Sequence, residues 1–195
     1  MLGILLLVAI GFVAFTNGAN ANFKGVASLY GSGTTSLRTA LYWGTATTFA
    51  GSLTAALLAQ GLLKTFGGKG LVPDELAQAT PFLTSVALAA ALTSFLATRF
   101  GFPVSTTHAL VGALAGAGLV GAGDQLHLGA LGKNFIYPLF VSPILAAGLG
   151  AVLYGVLRVL KLAPDHRTKT LDVLHFLSAG GASFARGLND TPKIA

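Results

Sequence analysis

The sequence predicts an all-α integral membrane protein: five transmembrane spans, then the start of an inverted-topology second repeat, with broken or re-entrant helices. Three observations predict it. Hydrophobic residues make up 53% of the 195 residues and charged residues only 9%, against roughly 25% charged in an average soluble domain. Five apolar stretches approach the ~20 residues that a helix needs to cross ~30 Å of hydrocarbon. One polar motif occurs twice, 169 residues apart. Mean hydropathy is +0.75. Disorder is excluded, because disordered chains are poor in apolar residues. The 26 glycines follow no every-third-residue period, which excludes collagen.

The apolar stretches cover about 1–16, 38–63, 81–98, 104–122 and 135–158. Ala and Leu dominate them without period-2 alternation, so they are read as helices rather than strands. Connectors 18–33, 64–80, 99–103, 123–134 and 161–170 are polar or rich in Gly and Pro. A sixth apolar run begins near Leu171. The domain reading is a first repeat over 1–160, a basic cytoplasmic connector over 161–170 and the start of a second repeat over 171–195.

Charge gives an orientation. Arg38, Arg99, Arg158, Lys161, Arg167 and Lys169 fall on one side of these spans, and Lys64, Lys69 and Lys133 on the other. Cytoplasmic loops carry the excess of Lys and Arg. The N-terminus is therefore expected outside and residues 158–170 inside, in the cell membrane. The net charge of +6 comes from basic residues scattered singly, so no nucleic-acid partner is expected. The chain has no cysteine, which excludes disulfides and thiolate metal sites. Ala19-Asn20-Ala21 fits a signal-peptidase rule, but no basic residue precedes the first apolar run.

The repeated motif reads F-x-x-G-x-N-x-x-x-K, from Phe15 to Lys24 and again from Phe184 to Lys193. Five intervening spans would start the second copy on the opposite face. Inverted repeats of this kind are a transporter architecture with the substrate near mid-bilayer. The second copy stops after 26 or so residues, so the chain reads as a truncated pair of repeats.

Three segments carry candidate chemistry. Gly18-Ala19-Asn20-Ala21-Asn22-Phe23-Lys24 interrupts an apolar run, and an Asn oxygen with freed backbone carbonyls suits a hard cation; an ordinary polar turn is the alternative. Gly101-Phe102-Pro103-Val104-Ser105-Thr106-Thr107-His108 precedes an apolar helix. Pro103 stops one helix, and the hydroxyls of Ser105, Thr106 and Thr107 stand at the start of the next. Helix N-terminal amides beside hydroxyls form an anion site; simple capping is the alternative. In the third segment, Asn189 and Asp190 lie within an apolar run, where a carboxylate is costly and usually faces a polar pathway. Simple pairing of Asp190 with Lys193 or Arg186 is the alternative.

These segments together resemble the inorganic phosphate transporter family, the cation-coupled phosphate permeases. Gly18-Ala19-Asn20 and Gly187-Leu188-Asn189-Asp190 are similar to its G-A-N-D-like segments, and Gly101–His108 matches its G-x-P-V-S-T-T-H segment. The resemblance implies a symporter of inorganic phosphate with sodium or protons, and a homodimer. Phosphate is then expected on Ser105, Thr106, Thr107, Asn20 and Asn189. Sodium is expected on Asn20, Asn189 and Asp190, with no other cofactor. Two departures stand out: Ala21 occupies the place of the family's first Asp, and no second G-x-P-V-S-T-T-H is present. A sulfate permease of the same fold and an inactive half-transporter acting as a scaffold subunit are the competing readings. No nucleophile–base pair points to an enzyme.

Overall fold

The computed structural model describes residues 1–58, 70–160 and 168–194. The helices are α1 (Leu2–Ala21), α2 (Ala27–Gly31), α3 (Leu37–Leu58), α4 (Asp74–Ala77), α5 (Thr80–Arg99), α6 (Thr106–Ala122), α7 (Leu128–Leu131), α8 (Tyr137–Val159) and α9 (Lys169–Ile194). A 3₁₀ turn (Gly123–Gln125) follows α6, and a π-helical turn (Gly132–Ile136) joins α7 to α8. Expectations for 59–69, with Lys64 and Lys69, and for 161–167 fall outside the described residues.

Among the described residues, four stretches are long and apolar enough to cross a membrane: Leu2–Ala21, Thr80–Arg99, Thr106–Gln125 and Leu128–Val159. The chain is a multi-pass, all-α membrane protein. The second predicted span differs from the other four. Its helix α3 has 22 residues but is not among these apolar stretches. Hydroxyl residues dilute it, and several bond back to their own helix: Thr45 Oγ1 donates to Leu41 O, Thr47 to Trp43 O and Thr54 to Ala50 O. Such back-bonding satisfies a hydroxyl without a neighbour.

Packing divides the helices into two groups. In the first, α1 lies along α5, with Ala9 and Val13 buried against Ala87 and Ala91. Helix α5 also packs on α6, burying Phe82, Val86, Leu110 and Leu114 together. Phe12 meets Phe95 at 5.7 Å and Asn20 bonds Thr98, so α1 and α5 run in the same direction. In the second group α3 lies along α9. Trp43 Nε1 donates to Phe176 O (2.8 Å), and Thr48 Oγ1 donates to Ser183 O (3.3 Å), so this pair also runs in one direction. Small residues allow the contact: Ala40, Gly51 and Ala55 lie on the buried face of α3, and Ala179, Gly180, Ser183 and Gly187 lie on the facing side of α9. Close backbone approach through small residues is how helices associate where lipid offers no hydrophobic drive. Helix α8 has no buried residue and is apolar all round.

One local expectation is corrected. The interruption predicted at Gly18 begins later: α1 stays helical to Ala21, and Asn22 N still donates to Gly18 O (3.0 Å). The carbonyl of Gly18 is therefore not freed. The physical reason is that Asn20 directs its amide to another element rather than to its own backbone. Of Gly112, Gly116 and Gly118 in α6, Gly118 alone has neighbours where a Cβ would stand, Leu126 and Val72.

Candidate functional site

The site is built around the start of α6. Helix α5 closes with Gly101 at φ +75°, where a side chain would be strained. Phe102 N donates to Ala97 O (2.8 Å) and Gly101 N to Thr98 O (3.1 Å), the paired bonds of a glycine-terminated helix. Pro103 prevents the helix from resuming at once. Ser105 is extended (φ −85°, ψ 122°) and caps α6, its Oγ accepting from His108 N (3.4 Å). The first intrahelical bond runs from Ala109 N to Ser105 O. The amides of Thr106 and Thr107 precede it and lie at the positive end of the helix. Replacing Ser105 with Ala is expected to lower stability by about 1 kcal/mol, read as a drop in the melting temperature of the detergent-solubilised chain.

Three elements converge on this helix start. From α1, buried Asn17 accepts a hydrogen bond from Thr106 Oγ1. Asn20 donates to Thr98 Oγ1 (3.0 Å) and Phe102 O (3.1 Å), and its Oδ1 accepts from Val104 N (3.1 Å) and Lys24 Nζ (3.1 Å). Those four bonds use the full capacity of a carboxamide, so Asn20 clamps the α5–α6 connector to α1. Lys24 Nζ also donates to Val104 O (2.8 Å). From α9, Lys193 Nζ donates to Thr107 Oγ1 (2.9 Å) and Asp190 Oδ1 (3.3 Å). Arg186 Nη1 stands 3.7 Å from Asp190 Oδ2. From α3, Thr48 Oγ1 accepts from Arg186 Nη2 (3.4 Å).

A cleft of about 370 Å³ opens between α1, α3 and α9, lined by Asn17, Thr48, Ser52, Arg186, Asp190 and Thr191 among others. Asp190 is its one carboxylate. Lys24, Arg186 and Lys193 set three positive charges against that negative one, leaving +2 around the helix start. Lys24 lies within electrostatic reach of both Arg186 and Asp190. Hydroxyls, forward-pointing amides and surplus positive charge suit an oxyanion.

The structure brings Thr106, Thr107, Ser105, Asn20 and Asp190 to one locality. Asn189 is placed elsewhere: it is exposed, absent from the cleft lining and makes no side-chain hydrogen bond among the described residues. Asp190 pairs with both Lys193 and Arg186, the alternative left open by the sequence. Sequence reasoning missed Asn17, Lys24, Arg186, Lys193 and Thr48 as parts of the site. Lys24 and Lys193 carried a signal, since they occupy equivalent places in the repeated motif.

Comparison with known proteins concerns the chain as a whole. The phosphate transporter family matches residues 17–195. The chain is 27% identical to the "Probable low-affinity inorganic phosphate transporter" of Bacillus subtilis over 99% of its length, covering 57% of that relative. A protein of the same name from Streptomyces halstedii is 28% identical, over 95% of this chain and 86% of that one. The "Sodium-dependent phosphate transporter" of Plasmodium falciparum is 31% identical over 80% of this chain and 23% of its own. The chain thus spans little more than half the length of the Bacillus relative. No solved structure matches it. A family match over nearly all of the described site establishes that the chain belongs to the phosphate transporter family.

Proposed function

We propose that this chain forms the anion-holding part of a secondary transporter that carries inorganic phosphate, coupled to sodium or to protons. One observation carries the reading: the start of α6 presents consecutive hydroxyls and amides beneath three basic side chains and a single carboxylate. Phosphate oxygens accept from the Thr107 hydroxyl and the amides of Thr106 and Thr107, and from the Thr106 hydroxyl once it releases Asn17, with Ser105 fixing the helix start. The basic side chains reduce the cost of bringing a dianion into low dielectric. The relatives' names support phosphate as cargo, and the Plasmodium name supports sodium as a coupling ion.

The parallel course of α1 and α5 supports the five-span repeat. If both helices cross the membrane in one direction, the chain crosses back between them, and α3 is the long helix available there. Residues 1–160 then form the first repeat, 161–170 a cytoplasmic connector and 171–195 the start of the second, with the N-terminus outside the cell membrane. Alternating access follows from rocking of one repeat against the other, and assembly is as a homodimer.

The test is uptake of radiolabelled phosphate into proteoliposomes containing this chain, under a sodium gradient, a proton gradient or neither. Uptake above that of protein-free vesicles, driven by one gradient and inhibited more by phosphate than by sulfate, is the expected outcome. Stronger inhibition by sulfate reassigns the cargo, and indifference to both gradients rejects coupling.

A further inference from the structure

The two copies of the repeated motif end on lysines, and both ammonium groups rest on oxygen at the same short segment. Lys24 Nζ contacts Asn20 Oδ1 (3.1 Å) and Val104 O (2.8 Å). Lys193 Nζ contacts Asp190 Oδ1 (3.3 Å) and Thr107 Oγ1 (2.9 Å). Amide, carbonyl, carboxylate and hydroxyl oxygens are the donor types that hold a hard monovalent cation. Here the chain supplies the positive charge itself, on a covalent tether. Lys193 is well buried, its side chain only 6% exposed, and an ammonium persists there because it is paired. The first copy carries Ala21 at the position equivalent to Asp190, so it offers no carboxylate to a free cation.

We propose that Lys24 and Lys193 are tethered counter-cations, one from each repeat, and that phosphate binding to this site needs no dissolved sodium. The inference rests on the phosphate reading above and narrows it. The surrounding charge of +2 already balances hydrogen phosphate. A sodium ion at Asn20 or Asp190 would have to displace an ammonium from its oxygens and would gain little by doing so. Energy coupling then has to enter at a step other than anion capture.

The experiment is equilibrium binding of radiolabelled phosphate to the purified chain in lipid nanodiscs, in sodium chloride and in choline chloride of equal ionic strength. The wild-type affinity is expected to agree within about threefold between the two salts. A Lys24→Gln, Lys193→Gln double variant keeps donor groups but loses both charges. It is expected to bind roughly tenfold or more weakly in choline, with sodium restoring part of the loss. Wild-type binding that weakens more than tenfold without sodium overturns the inference and leaves the phosphate reading intact. So does a folded double variant whose affinity is unchanged in both salts. Absence of phosphate binding in both salts overturns both. The wild-type comparison needs no variant to fold.

Discussion

Replacing Gly187 by Ala is expected to lower the stability of the chain by about 2 kcal/mol net and to loosen α9 from α3. A Cβ at Gly187 would overlap the carbonyl oxygen of Thr48 and come within 3.0 Å of Ser52 N. Both are backbone atoms of a helix, so neither has a rotamer to change. Gly51 faces the same constraint from the other side, against Phe184 O. Overpacking typically costs about 1–3 kcal/mol, and a rigid backbone neighbour puts this site at the upper end. Against it stands the gain in helix propensity from Gly to Ala, about 1 kcal/mol. The clash wins at Gly187. At Gly181, on the same helix with nothing within 4 Å of its added Cβ, propensity alone acts and the substitution should be neutral to mildly stabilising. The chain's one tryptophan reports the difference, because Trp43 sits at this interface with its Nε1 on Phe176 O. Thermal unfolding followed by Trp43 emission should show an early, red-shifting transition for Gly187→Ala but not for Gly181→Ala. Equal melting of the two variants would contradict the close-packed interface. The consequence reaches the site, since Gly187 adjoins Arg186 and this crossing fixes where Arg186 meets Thr48.

What was legible in the sequence divides along contact distance. The end of α5 and the start of α6 are written locally: Gly101 must turn left-handed, Pro103 must interrupt, and Ser105 must cap. All three signals act within a few residues, so pattern reading recovers them. The spans were legible for a similar reason, as apolar length is a local property. Helix α3 shows the limit, because its hydroxyls lower its apolarity while their bonds to the preceding turn hide that polarity inside the helix. The break falls after Ala21 rather than at Gly18, because Gly18-Ala19-Asn20 is a turn signal only when the Asn side chain competes for its own backbone. Asn20 spends its amide on residues 98, 102 and 104 instead. The bonds from Asn17 to Thr106 and from Lys193 to Thr107 span 89 and 86 residues. No local pattern encodes such a meeting. It depends on α1 lying along α5 and on α9 being carried in by α3. Asn189 and Asp190 are adjacent in sequence, but successive residues on a helix project about 100° apart, so Asp190 lines the cleft while Asn189 is exposed.

Removing the carboxylate of Asp190 is the second large expected effect, and it should act in opposite senses on folding and on binding. Asp190 is the common partner of Lys193 and Arg186, with side-chain exposures of 17%, 6% and 16%. Deleting one member of a buried ionic cluster leaves the others uncompensated, which costs roughly 3 kcal/mol or more. Asp190→Asn keeps the shape and one acceptor, so the loss it produces is chiefly the missing charge. Adding Arg186→Gln should then recover part of the stability, because one stranded cation goes with it. The sum of the single losses should exceed the loss in the double variant by about 1–3 kcal/mol in a double-mutant cycle. Anion binding should move the other way. With Asp190 neutral, the charge around the start of α6 rises from +2 to +3, and an oxyanion can supply the missing compensation. Phosphate should therefore raise the melting temperature of Asp190→Asn by more than it raises that of the wild type, since a ligand stabilises in proportion to its affinity for the folded state. If Asp190→Asn melts like the wild type, the cluster is not a buried ionic unit. If the variant is destabilised but gains nothing extra from phosphate, the anion does not bind within the field of Lys193 and Arg186, and the site lies elsewhere in the protein.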